Sequence, residues 1–173
     1  QKGIKKYQDI NREKFYAKWR NVLSAHPQEK DPDLFRSRDR FSGRPLVLIV
    51  DRDIPQMDRD AGSLLTFTYL KALLKIGCHV KFISASFIRK DPYATKLEQL
   101  GVELFTTPWH LTRWPALLQR NGDDIDIVIL NRPDIAALFL PIIRSRCPRT
   151  RIVYFGHDLC FLREQRRAEY EKN

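Results

Sequence analysis

The chain has 173 residues and a formal net charge of +10 at pH 7, enough for one ordinary domain with an appendage and a buried core. No apolar run approaches the roughly 20 residues that span a bilayer, and the start Gln1-Lys2-Gly3-Ile4-Lys5-Lys6 lacks the apolar stretch of a signal peptide, so a cytoplasmic protein is expected. Three widely spaced cysteines, Cys78, Cys147 and Cys160, give neither a disulfide framework nor a zinc motif.

The charge is unevenly placed. Residues 1 to 45 hold 12 basic and 6 acidic side chains, residues 46 to 143 hold 11 of each, and residues 144 to 173 hold 8 and 4. A neutral centre without basic and aromatic residues interleaved on one surface does not suit a nucleic-acid partner. Peripheral contact with an anionic membrane fits the basic ends, and so does a plain solvated face.

Residues 4 to 25 carry Tyr7, Ile10, Phe15, Trp19, Val22 and Leu23 at near-helical spacing among lysines and arginines, which predicts an N-terminal amphipathic helix. The polar stretch 26 to 33 with Pro27 and Pro32 reads as a linker. It continues to Gly43, with Leu34, Phe35 and Phe41 as anchors, so residues 1 to 43 form an appendage and residues 44 to 173 a domain.

Leu46 to Val50 are five consecutive branched aliphatics, the mark of a central strand buried on both faces of a parallel sheet. A long loop, Asp51 to Ser63, follows, where ordinary strand-to-helix loops have about two to six residues. Leu64, Leu65, Thr68, Leu70, Leu73 and Leu74 then predict the apolar face of a helix, capped by Asp60 and stopped at Gly77. Gly62 at the helix start would let a ligand approach the backbone, although Asp58 and Asp60 compete for the positive helix end.

From there short apolar strands alternate with amphipathic helices, the signature of a doubly wound α/β sheet. Strands are expected near 79 to 83, 102 to 105, 125 to 130 and 151 to 155, with helices over 92 to 100, 111 to 120, 135 to 146 and 159 to 172. The last helix stops without a cap signal, so more protein is expected to follow.

Ligands of such folds gather at the carboxyl edge of the sheet, which singles out the residues after each strand. These are Asp51 to Ser63, Thr106 to His110, Asn131 to Pro133, and Gly156 to Asp158. His157 beside Asp158 reads as a polar pair for a hydroxyl, or as packing plus a helix cap. Arg132 before Pro133 could hold a phosphate or carboxylate, or be solvated. Trp109, Arg113 and Trp114 could stack on a sugar, or pack over a sheet edge. His79 and His110 lack partners at metal spacing, so no metal is assigned.

The stretch from Arg44 to Arg167 resembles the N-terminal half of retaining, nucleotide-sugar-dependent glycosyltransferases of the GT-B fold, family-4-like, as found in multidomain polysaccharide-synthesis proteins. The resemblance rests on Val47 to Asp51 followed by Pro55 and Asp58-Arg59-Asp60-Ala61-Gly62-Ser63, on Leu73 to Val80, on Asp126 to Pro133, and on His157-Asp158-Leu159-Cys160-Phe161-Leu162-Arg163-Glu164. It implies a Rossmann-like sheet, with Asp58, Arg59, Asp60, Gly62 and Ser63 as a donor-phosphate loop and His157 and Asp158 as catalytic residues near the transferred sugar. Trp109, Arg113 and Arg132 become acceptor contacts. It further implies no metal and no cofactor beyond the nucleotide-sugar substrate, a glycan or lipid-linked acceptor, and a missing C-terminal donor-binding domain as partner. Asp58-Arg59-Asp60 stands where better-known relatives carry paired glycines. Asn11 to Arg20 resembles the tail of a family-two glycosyltransferase. The alternative is a receiver-like signalling or scaffold domain, suggested by Leu48 to Asp53 and Ile127 to Pro133.

Overall fold

The computed structural model describes residues 2 to 24, 43 to 157 and 160 to 171. The predicted linker and its anchors Leu34, Phe35 and Phe41, and also Asp158, lie outside the described residues. The chain divides into two compact units, Gln1–Arg44 and Pro45–Asn173. Among the described residues of the first, α1 (Lys2–Leu23) is the predicted helix.

The second unit is a five-stranded parallel sheet flanked by helices, a doubly wound, Rossmann-like α/β fold. In chain order it contains β1 (Leu46–Asp51), α2 (Ala61–Lys75), β2 (His79–Ser84), α3 (Tyr93–Gln99), β3 (Glu103–Phe105), α4 (Pro108–Asn121), β4 (Ile127–Asn131), α5 (Pro133–Arg146), β5 (Arg151–Phe155) and α6 (Cys160–Tyr170). The strand order is β3-β2-β1-β4-β5, parallel throughout. The order reverses beside β1, so the crevice between the carboxyl ends of β1 and β4 is where such a sheet opens to a ligand.

The aliphatic run of β1 is buried on both faces, which is why it has no alternation. Val47 and Ile49 join Leu70, Val80, Phe82, Ala94 and Leu97 in one cluster under α2 and α3. Right-handed crossovers place α4 and α5 on the other face, where the rings of Trp114 and Phe139 lie 4.5 Å apart. There β2 buries a charge: the Lys81 side chain is 1% exposed and its Nζ lies 2.5 Å from Glu103 Oε2.

Three sequence expectations change. Leu64, Leu65 and Thr68 are exposed, and α2 buries Ser63 and Thr66 instead, because the side that meets the sheet runs through Ser63, Thr66 and Leu70 and on to the half-buried Leu73 and Leu74, as expected for the last three. Trp109 and His110 lie in α4 rather than in a loop, since Pro108 opens the helix instead of breaking it. Trp114 is a core residue, not part of an exposed aromatic stretch. The predicted cap Asp60 and stop Gly77 are present: Ser63 N–H donates to Asp60 Oδ1 at 2.7 Å, and Gly77 takes φ +93 beyond the last turn.

Behind α4 a 3-10 turn, Gly122–Asp124, meets the end of α5 so closely that a methyl group on Gly122 would stand 2.2 Å from the Arg146 carbonyl oxygen and 2.9 Å from Cys147 Sγ. Gly122→Ala is therefore expected to destabilise the unit by about 2–3 kcal/mol through overpacking, read as a lower urea midpoint.

Candidate functional site

At the carboxyl end of β1 sits Asp51, whose side chain is 3% exposed. Both of its oxygens accept hydrogen bonds. Oδ1 takes Arg132 Nε at 2.9 Å and the Arg52 N–H at 2.7 Å, while Oδ2 takes Asn131 Nδ2 at 2.9 Å and Thr66 Oγ1 at 3.3 Å. A buried carboxylate needs such partners, since an unpaired charge away from water is costly. Four donors from β4, α2 and the strand end therefore converge on one residue.

The network extends outward. Asn131 closes β4 fully buried, and its Nδ2 also donates to the Tyr69 hydroxyl at 2.7 Å, while Tyr69 donates to Asn131 Oδ1 at 3.0 Å. Burial pushes the Tyr69 hydroxyl up to about 12, so it stays protonated. The Tyr69 ring packs on Phe155 at 5.6 Å, and Phe155 on His157 at 4.9 Å.

His157 follows β5 with φ +57, in the left-handed region, and its side chain is 6% exposed. Nε2 lies 3.5 Å from Thr66 Oγ1 and 3.9 Å from Asp51 Oδ2. Nδ1 is buried with no hydrogen-bond partner. Desolvation lowers the imidazole pKa, helped by Arg132 and opposed by Asp51, so the ring is neutral at pH 7. A neutral ring with its Nε2 proton toward the Asp51 carboxylate leaves Nδ1 as an unpaired acceptor.

Gly62 faces that acceptor. A methyl group there would stand 3.5 Å from both His157 Nδ1 and Arg132 Nη2, and 3.2 Å from Asp60 Oδ1. The bare glycine thus leaves a small polar recess walled by an acceptor, a guanidinium and a carboxylate. Asp60 caps α2, accepting the Ser63 hydroxyl at 2.6 Å, and its carboxyl is held below the usual range by Ser63.

The expected site residues divide accordingly. Asp60, Gly62, Ser63, Arg132 and His157 come together at the β1–β4 crevice. Asp58 turns away to accept the Tyr93 hydroxyl at 2.5 Å, and Arg59 is exposed in a turn bonded to Gln56. The loop is pinned there by buried Ile54 and by Lys90 on Asp53 at 3.0 Å. Trp109 and Arg113 stack on each other at 4.6 Å, but in the first two turns of α4, which follows β3, a strand two places from β1 in the sheet. His110 accepts the Thr107 N–H at 3.2 Å. Among the described residues no group of three His, Cys, Asp or Glu stands close enough to hold a metal ion.

Sequence reasoning passed over Thr66 and Tyr69, and it named Asn131 only as one of the residues that follow a strand. The available signal was polarity closing an aliphatic strand, at Asp51 and again at Asn131, 80 residues later. No family model, no curated protein and no solved structure matches this chain.

Two outcomes test the network. Asn131→Ala is expected to cost about 2–3 kcal/mol by stripping the buried Asp51 of a donor, against about 1 kcal/mol for Tyr69→Phe, both read from urea unfolding. Because the folded state holds His157 neutral, it binds fewer protons than the unfolded chain, so stability present above about pH 6.5 declines as the pH falls below it. His157→Asn, which suits the left-handed backbone, is expected to flatten that decline.

Proposed function

We propose that the unit Pro45–Asn173 is the acceptor-side half of a nucleotide-sugar-dependent glycosyltransferase and that its β1–β4 crevice receives sugar hydroxyls. The observation that carries this reading is the recess at Gly62, where the unpartnered His157 Nδ1, Arg132 Nη2 and Asp60 Oδ1 surround the space of one missing methyl group. A hydroxyl donates to a neutral imidazole nitrogen or a carboxylate and accepts from a guanidinium, so this set of groups suits a polyol.

Phosphate fits the same recess less well. The positive end of α2 is already capped by Asp60, and Asp51 lies beneath Arg132 and satisfies its Nε. One cation between two carboxylates attracts a dianion weakly. The resemblance to GT-B enzymes implies donor phosphates near Gly62, whereas the charges here favour the sugar ring over the phosphate.

In this reading Gly62 admits the ligand, Arg132 donates to a ring substituent, and His157 accepts a hydroxyl proton in a hydrogen bond. The nucleotide would be held by a C-terminal donor-binding domain as partner, the acceptor would be a glycan or lipid-linked sugar, and the work would be cytoplasmic, where nucleotide sugars serve polysaccharide synthesis. No metal or cofactor takes part.

The receiver-like alternative asks for an accessible carboxylate on a 2-1-3-4-5 sheet. Asp51 is 3% exposed with both oxygens engaged, and the strand order differs. Ligand binding separates sugar transfer from a bare scaffold.

Titration of the chain with methyl glucoside, glucose 1-phosphate and uridine diphosphate glucose, followed by amide NMR, is the test. Saturable shifts are expected at Gly62, Arg132 and His157 with a sugar-bearing probe. Gly62→Ala, which should leave stability within about 1 kcal/mol of the parent, is expected to weaken binding by at least about tenfold. Shifts confined to other surfaces, or undiminished binding by a folded Gly62→Ala protein, would contradict the reading.

A further inference from the structure

α1 leaves its aromatic residues in water. Phe15 is 52% exposed, Trp19 41%, Val22 48% and Tyr7 70%, whereas side chains of that size normally stand buried. At about 3.6 residues per turn, Phe15, Trp19 and Val22 form one stripe, and Tyr7 lies about 80° away from Phe15 around the axis. Lys18 and, further round, Lys14 flank the stripe on one side and Arg12 and Lys5 on the other, while Asp9 lies beyond Lys5 and Glu13 stands on the far face with Lys6 and Arg20. Lys18 Nζ sits 5.1 Å from the centre of the Trp19 ring. Over Lys2–Leu23 there are seven basic residues and two acidic ones.

We infer that α1 lies along an anionic lipid surface, with Phe15, Trp19 and Val22 at the level of the acyl boundary and the flanking lysines and arginine among the head groups. The arrangement selects this occupant over others. Apolar side chains flanked by cations, with acids turned away, meet a boundary that is oily within and negative at its rim. A nucleic acid would be met by cations at the middle of the contacting face, and here the middle is apolar. A second α1 would bring cationic flanks against cationic flanks. No described helix is long and apolar enough to cross a membrane, so the contact is one of lying on the surface. The inference is independent of the sugar-transfer reading and extends beyond it.

The test is flotation of the whole chain with vesicles of phosphatidylcholine, alone or with about one-third phosphatidylglycerol. Binding is expected only to the anionic vesicles and is expected to weaken with added salt. Each cation near such a surface strengthens binding by roughly fivefold, so Arg12→Gln/Lys14→Gln/Lys18→Gln should lose on the order of a hundredfold. Phe15→Ser/Trp19→Ser keeps the charge and should still lose at least about tenfold. Equal binding to neutral vesicles, equal binding by the Phe15→Ser/Trp19→Ser protein, or no binding would overturn the inference. So would self-association in sedimentation velocity that Phe15→Ser/Trp19→Ser abolishes, which would make a second copy the occupant.

Discussion

The carboxylate of Asp51 is the constraint on which the rim depends. Placing a charge at the buried end of the central strand obliges the neighbouring elements to supply donors, and they do so from three directions: Asn131 and Arg132 from the end of β4, Thr66 from α2, and the backbone of Arg52. Packing alone would let α2 and the end of β4 slide against each other by fractions of an ångström. The shared carboxylate fixes their register, since breaking a buried charge from its partners costs several kcal/mol. Arg132 reaches it from an unusual backbone, with φ +68 at the start of α5, a conformation tolerated only where surrounding contacts demand it.

The same carboxylate orients the residues that remain open. With Nε2 facing Asp51 and Thr66, the His157 ring turns Nδ1 toward Gly62. Asp51 thus has no direct route to a ligand, yet it decides which nitrogen of His157 and which edge of the Arg132 guanidinium a ligand would meet. The polar recess is an outcome of folding the sheet around a charge.

Much of this fold was legible because parallel strands buried on both faces write themselves as aliphatic runs. Leu46 to Val50 emerged where expected on that ground, and so did the largely exposed edge strand Arg151 to Phe155, the cap at Asp60 and the stop at Gly77. Helix faces were less legible, because apolar spacing suggests a stripe without fixing which side of the helix meets the sheet. Leu64 and Leu65 therefore looked like core and are exposed. Within the site, Gly62, Arg132 and His157 were readable from position alone, as residues following strands in a fold that binds at that edge. Thr66 and Tyr69 were not, since their roles arise from contacts with Asn131 across 62 to 65 residues of chain, and local spacing carries no record of such pairs. Trp109 and Arg113 follow a strand equally well, but that strand is β3, two places from β1 in the sheet, and order is not written in any one segment.

The orientation of the His157 imidazole tests the central claim most directly, and nitrogen-15 NMR of histidine-labelled protein reads it, with His157 assigned by its absence in the Asn variant. The account predicts a neutral ring at pH 7, protonated at Nε2, with an unprotonated Nδ1 whose resonance moves when a sugar binds. A ring protonated at Nδ1, or an imidazolium at neutral pH, would contradict it.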